Sequence, residues 1–226
     1  MKMKTKSLMV CALVALTACG SETRTKTDSE SVGTPVQMGA KIELMAVPKQ
    51  EGLSINEALW NRRSVREYSE QPLSLEELSG VMWAASGINR EDGHLTAPST
   101  RGLYPLRVYA FFPEGVYRYD AATSSLIHVV NGDYRELTAM QDFAYKAPLN
   151  LLYVADFSVY GDTDPDLMRV WAMADAAGYA ENVNLYTAGH GLKSITRGSF
   201  KVDALMQLLG LDPTRYGVVL AQTVGK

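Results

Sequence analysis

From Leu75 to Ala85 the apolar residues Leu75, Leu78, Val81, Met82 and Ala85 recur at the three- and four-residue spacing of one helix face. The segment Ser74-Leu75-Glu76-Glu77 opens that run as a capping box, and Gly87 stands where a C-terminal cap belongs. Ser54-Ile55-Asn56-Glu57 repeats the signature and predicts a short helix with Ile55, Ala58 and Leu59 on one face. Asp164-Pro165 starts the longest predicted helix, with Asp as the cap and Pro in the first turn. It runs to about His190 and is ended by Gly191; its apolar stripe includes Met168, Trp171, Ala172, Ala176, Val183 and Leu185. Gly178, beside Ala176, Ala177 and Ala180, makes one side of this helix small enough for another helix to approach closely. A last helix is expected from Val202 to Leu209, capped by Gly210.

Strand patterns fill the spaces between. Arg107–Phe112, Gly115–Tyr119 and Ser125–Val130 are separated by the turns Pro113-Glu114-Gly115 and Asp120-Ala121-Ala122-Thr123. Leu149–Ala155 is apolar apart from Asn150 and predicts a buried strand; Ser194–Arg197 and Val218–Val224 complete the set. Between Gly87 and Leu106 the chain is rich in Asn, Asp, Gly and Pro. A loop of that length inside a compact domain is usually functional or disordered. Helices and strands interleave irregularly, with hairpins in the middle, which argues for an α+β fold with a mixed, mostly antiparallel sheet.

The N-terminus has a different pattern. Lys2, Lys4 and Lys6 precede an apolar run from Ser7 to Leu16, too short to span a bilayer and typical of a signal-peptide core. The run ends in Leu16-Thr17-Ala18-Cys19-Gly20, which resembles a bacterial lipobox. Residues 1–19 are therefore expected to be a lipoprotein signal, with Cys19 as the lipidated residue and the cell envelope, on the periplasmic or surface face of a membrane, as the location. Stable anchoring needs more than one acyl chain. Residues 20–52, rich in Ser, Thr, Lys and Glu, are expected to form a flexible tether, and residues 53–226 one domain. The chain's two cysteines are Cys11 and Cys19, so the domain has no thiol for a disulfide, a zinc or iron–sulfur site, or a nucleophile. A net charge of −3 offers no basic surplus for nucleic acid.

Candidate chemistry centres on Arg62-Arg63-Ser64-Val65-Arg66, at the end of the short helix. Guanidinium forks bind phosphate oxygens in pairs, and a serine hydroxyl adds a donor. Taken alone, such a run is more often solvated surface charge. His94, His128 and His190 are scattered at no metal-ligand spacing, and Asp162, Asp164 and Asp166 lack the later Glu of a calcium loop, so no metal site is expected.

Six segments in order change that weighting. They are Arg62–Arg66 followed by Tyr68; Ala97-Pro98-Ser99-Thr100-Arg101-Gly102-Leu103-Tyr104-Pro105-Leu106; Gly115-Val116-Tyr117-Arg118-Tyr119-Asp120; Ala177–Leu185; Gly191-Leu192-Lys193-Ser194-Ile195-Thr196-Arg197-Gly198-Ser199-Phe200; and Leu208–Leu211 with Val218–Gly225. Together they resemble the nitroreductase family, in the branch that includes the SagB-type peptide-azoline oxidases. The resemblance implies a nitroreductase-like fold, a homodimer, and FMN at the subunit interface. It would place Arg62, Arg63 and Ser64 on the FMN phosphate and Arg66 beside the pyrimidine side of the ring. Pro98, Ser99 and Thr100 would reach the flavin from the other subunit, and Ile195, Thr196, Arg197 and Gly198 would lie near its N5. Lys226 is the candidate for a further phosphate cation.

The implied activity is FMN-dependent oxidoreduction of a small acceptor, a quinone, nitroaromatic or similar molecule, by hydride transfer at N5. The flavin bears the chemistry, so no residue is assigned a catalytic role. NADH or NADPH is the candidate electron donor. The alternative is a non-catalytic, lipid-anchored binding or flavin-storage module that keeps the fold. Glu181 stands where the branch usually has Gln, and Arg197 where apolar residues are common.

Overall fold

A computed structural model describes residues 33–226; the lipidation candidate Cys19 and the signal segment lie outside the described residues. The helices begin where their capping signals stand. Ser54 caps α1 (Ile55–Asn61) and Ser74 caps α2 (Leu75–Ser86), each with both hydrogen bonds of the capping box formed. Asp164 accepts from the backbone N–H groups of Asp166 and Leu167 at the start of α4 (Pro165–Gly189). A single turn, α3 (Phe143–Lys146), and α5 (Val202–Leu208) complete the helices.

Seven strands form one sheet. In chain order they are β1 (Lys41–Glu43), β2 (Leu106–Phe111), β3 (Gly115–Asp120), β4 (Ser125–Asn131), β5 (Leu149–Asp156), β6 (Lys193–Arg197) and β7 (Tyr216–Gly225). Their order across the sheet is β1-β4-β3-β2-β5-β7-β6, and every ladder is antiparallel. The one parallel element described is an isolated bridge between Ser64 and Ser194.

The central strand β5 is buried along its whole length, because both faces of the sheet are covered. Leu151, Tyr153 and Ala155 face a core built with Leu78, Val81 and Met82 of α2 and Ala172, Ala176, Tyr179 and Val183 of α4. The alternate residues Leu152 and Val154 face a second core with Tyr109, Phe111 and Leu205. Period-two alternation along one strand thus serves two helical layers.

Two expectations change. Residues from Thr34 on, within the stretch 20–52 expected to be a flexible tether, are packed against the domain. The Leu75 N–H donates to the Thr34 carbonyl at 2.7 Å, the Met45 N–H to Ser79 Oγ at 2.9 Å, and β1 pairs with β4. Polar composition hid this segment; Ile42 is buried, and Val36, Met38 and Leu44 pack on the core. Second, the apolar face of α1 is split. Ala58 is buried, but Ile55 is 61% exposed, Leu59 54% and Trp60 88%.

Candidate functional site

α1 stops at Asn61, where Arg62 turns to φ −57° and ψ 122° while its N–H still donates to the Ala58 carbonyl. The chain then runs extended beside the start of β6. Ser64 bridges Ser194, and the Val65 N–H donates to the Ser194 carbonyl at 3.1 Å. In an extended segment successive side chains point to opposite sides. Asn61, Arg63 and Val65 line a cleft of about 550 Å³, together with Lys193 and Ser194 of β6 and Asn184 and Thr187 of α4. No carboxylate lines this cleft. Arg63 spends only its Nε–H, on the Asn61 carbonyl at 3.1 Å.

Arg62 has a different neighbour. Its Nε lies 3.9 Å from Glu181 of α4, the position where the resembling branch usually has Gln. Asn184 donates to the other Glu181 oxygen at 2.9 Å and to Thr196 Oγ1 at 3.1 Å. Its own carbonyl accepts from Ser194 at 3.0 Å and from Gln222 at 2.7 Å, and Gln222 accepts from Tyr153 at 2.6 Å. Every group in this buried chain is paired, so the directions of its bonds are fixed from the core outward to Thr196 and Glu181.

Neighbouring residues of β6 therefore serve different layers. Ser194 and Thr196 face α4. Ile195 is buried, and Arg197, 6% exposed, is bound within the protein. Its guanidinium donates to Thr223 Oγ1 at 3.0 Å, to Asn150 Oδ1 at 2.8 Å and to the Thr138 carbonyl. Burial lowers its pKa to about 10, partly offset by Tyr68 and Tyr145. Three of its five N–H donors are bonded within the protein, so the side chain serves as a buried fastening. Gly198 is exposed, with open space around it.

The loop after α2 is held by a residue that sequence reasoning did not single out. Asp175, 5% exposed, accepts from Ser99 Oγ at 2.6 Å and from the Thr100 N–H and Oγ1, both at 2.9 Å. Ser99 Oγ in turn accepts from the Tyr104 N–H at 2.9 Å. Within this loop Arg101 and Tyr104 hold φ of 56° and 46°, a left-handed conformation that costs about 1 kcal/mol or more outside glycine. The Asp175 clamp is what maintains it. Pro98 is left exposed at the loop's tip, beside the open side of Gly178. A lone Asp in the middle of a run of Ala and Gly was the available signal for this clamp.

Lys226 lies away from the basic run's guanidinium groups in its bonding. Its Nζ is 2.9 Å from Glu77 Oε2, the same oxygen that caps the Ser74 N–H at 2.7 Å. Arg66 is exposed and makes no ion pair among the described residues. The structure thus puts Arg63 in the cleft wall with Lys193 and Ser194, sets Arg62 by Glu181, pairs Ser64 with Ser194, and fixes Pro98–Thr100 on α4 at Asp175. Asp175 lies six residues before Glu181, about 9 Å along the helix. Among the described residues no group of His, Cys, Asp and Glu could hold a metal ion.

Comparison with known proteins gives a consistent answer. The model of the nitroreductase family matches residues 59–226. A candidate nitroreductase of Methanocaldococcus jannaschii is 32% identical over 186 residues, covering 76% of this chain and 91% of that one. The crystal structure of a candidate nitroreductase from Ralstonia eutropha is 35% identical, with a TM-score of 0.79 over 86% of this chain and 94% of that chain. A candidate nitroreductase from Desulfovibrio desulfuricans, crystallised with FMN, shares the fold at 19% identity, with a TM-score of 0.55 over 77% of this chain and 87% of that one.

Proposed function

The chain belongs to the nitroreductase family of FMN-dependent oxidoreductases, and from that premise we propose that it binds FMN at the start of β6 and reduces a small acceptor such as a quinone or nitroaromatic. One observation carries the site: the basic run lies against a cleft that has cations and hydroxyls in its wall and no carboxylate. That donor set fits a phosphate ester. The Arg63 guanidinium, with N–H groups to spare, supplies charge-assisted hydrogen bonds there. FMN, when bound, supplies two-electron hydride chemistry at N5, which needs no thiol, metal or acid–base pair from the protein.

The protein's part is to bind and orient. Arg62, Arg63 and Ser64 hold the phosphate end. Arg66 places positive charge by the pyrimidine edge, where it favours a negatively charged reduced ring. The segment Ile195–Gly198 forms the wall beside N5. Within it, Thr196 Oγ1 accepts from Asn184, so its own hydroxyl hydrogen is available to point outward. NADH or NADPH is the proposed donor, and the resemblance of the Pro98–Leu106 loop supports placement in the SagB-type branch.

The flavin is proposed to sit between two copies of the chain, with Pro98, Ser99 and Thr100 reaching the partner's cofactor. Exposed apolar residues support this: Ile55, Leu59 and Trp60 on α1, and Val170, 62% exposed, and Met173 on α4. An interface burying more than about 2,000 Å² is expected, and light scattering of Gly178→Leu should show a monomer where the unaltered chain is a dimer. Anchoring through Cys19 is proposed on the lipobox-like segment alone; Cys19→Ser should leave the membrane fraction. The central test is the absorbance spectrum of purified protein. A flavin spectrum that bleaches with NADH or NADPH supports the enzyme. A colourless protein that will not take up FMN favours a module that keeps the fold without the chemistry.

A further inference from the structure

We propose that His94, fixed by Asp92 and seated on Tyr104, is the group that gives a proton to the reduced acceptor; this rests on the flavin reading above. The hydride step asks no acid of the protein, but its product does. A quinone that takes a hydride becomes a hydroquinone anion. A proton on that oxygen completes the hydroquinone, so each turnover consumes the hydride and a proton. Imidazole is the side chain whose ordinary titration falls between about pH 5 and 8, which suits it to deliver that proton and to regain one from solvent.

The pair stands on a short hairpin between α2 and the Pro98–Leu106 loop. An isolated bridge joins Ile88 to Leu95, and Thr96 Oγ1 ties the base to the Trp83 and Ala84 carbonyls of α2, both at 3.1 Å. At the tip Asp92 Oδ1 accepts from the His94 backbone N–H at 3.1 Å and lies 2.9 Å from the ring's Nδ1. Those two bonds hold the Asp92 carboxyl below the usual carboxylate range, so it is ionised wherever imidazole titrates. An ionised carboxylate only accepts, so Nδ1 carries a hydrogen in either charge state of the ring. Nε2 is then the atom that takes up and releases the proton. It has no partner among the described residues, and the side chain is half exposed.

The ring meets Tyr104 edge to face, with centroids 6.0 Å apart and planes at 82°. Tyr104 is the residue with φ 46° whose N–H is held by Ser99 and, through it, by Asp175. The strained loop that the flavin reading brings to the partner's cofactor therefore also carries the imidazole. Arg90 stands behind Asp92, with its Nε 3.7 Å from Oδ1. Asp92, Arg90 and Tyr104 are the charged and titratable groups set against His94 among the described residues.

The bland role for the pair is to hold the turn, since an Asp that accepts the N–H two residues on is a common turn device. That role needs neither a fixed ring tautomer nor a pH-dependent electron transfer. The chain has 3 histidines, so nitrogen NMR signals of the flavin-free full-length protein can be assigned by the set that His94→Gln removes. The neutral His94 ring should carry its hydrogen on Nδ1, and Asp92→Ala should mix the two tautomers. For the reaction, FMN-loaded protein is reduced with dithionite and mixed with a benzoquinone without oxygen, so that no nicotinamide is needed. Reoxidation of the unaltered chain should slow as the pH rises through the imidazole range. His94→Gln should be slower by roughly a hundredfold at the acid end, the lower limit of ordinary general-acid effects, and nearly flat with pH, while binding FMN within about twofold of the unaltered chain. An unchanged rate in His94→Gln overturns the assignment. So does a slower rate that keeps the original pH profile, or a neutral ring protonated at Nε2. If the unaltered chain takes up no FMN, or its reduced form does not pass electrons to the quinone, the flavin reading falls and the proposal falls with it. If it does both and His94→Gln behaves like the original, only the role of His94 falls.

Discussion

β6 begins with Lys193 in an open cleft and ends with Arg197 in a sealed core, and the two ends show what decides the use of a cation. At the closed end three acceptors surround the guanidinium: Thr223, Asn150 and the Thr138 carbonyl. Asn150 is itself fixed, with its Nδ2 on the Ala144 carbonyl at 2.8 Å and its Oδ1 accepting from Thr223 at 2.6 Å. Arg197 is a fastening between β5, β6, β7 and the turn at Thr138. At the open end Arg63 and Lys193 have donors to spare. A buried cation bonded to several acceptors of the fold stabilises it, and one with donors facing a cleft is available to a ligand. Residue type and motif position do not separate the two.

The largest effect is expected at the closed end. Arg197→Met removes three buried hydrogen bonds from a charged donor, each worth about 1.5–3 kcal/mol, although Asn150 Oδ1 keeps its bond from Thr223. A loss near 3 kcal/mol or more is expected, read from urea unfolding. The folded fraction that remains should take up FMN with close to the original affinity. A variant that unfolds normally but binds FMN poorly would place Arg197 with the ligand after all.

The open end should show the reverse pattern. Arg63→Ala should weaken FMN by roughly ten- to a hundredfold, from the loss of a contact worth about 1.5–3 kcal/mol. Its unfolding midpoint should move by no more than about 0.5 kcal/mol, as for an exposed side chain. Equal flavin affinity in the variant and the original would make Arg63 mere surface charge.

A smaller effect tests the same rule on a carboxylate. Asp156 is buried between Arg107, at 3.0 Å, and Arg215, at 2.7 Å. Burial alone would raise its carboxyl, but hydrogen bonds from Arg215 and Ser158 outweigh that and hold it well below the usual carboxylate range. A depressed folded-state pKa means its stabilisation is complete above the unfolded value near pH 4 and is lost as the pH falls toward the folded one. Glu76, lowered to about 2 chiefly by its hydrogen bond from Thr34, adds to the same acid-side loss. Asp156→Asn should cost about 1–2 kcal/mol at pH 6, because both arginines are partly exposed. The variant should also lose less than the original between pH 6 and pH 3 in urea midpoints.

The smallest change is expected at the loop clamp. Asp175→Asn keeps the shape and removes the charge from three hydrogen bonds, for about 1 kcal/mol of stability. If the loop meets the partner's flavin, its loosening should show as faster hydrogen exchange over residues 99–104 in the free protein and slower exchange when FMN is added. Exchange in that loop that ignores FMN would detach it from the site.

The chain's own pattern determined most of the architecture. Two capping boxes, the Asp164-Pro165 start and the period-two strands were legible because they rest on contacts between near neighbours. The order of motifs was legible too, and with it the family. β1 was not, because a three-residue strand with the burial pattern exposed–buried–exposed carries too little periodicity to stand out from polar sequence. Which cations were free was not legible either. Arg62, Arg63, Arg197, Lys193 and Lys226 look alike in sequence, but Glu181, Asn150 and Glu77 reach them from elements far along the chain. Asp175 likewise gained its meaning only when α4 met the loop at Ser99. Local periodicity fixes elements because its partners are a turn or a strand position away, whereas the state of a charge depends on whatever the fold brings within about 4 Å of it.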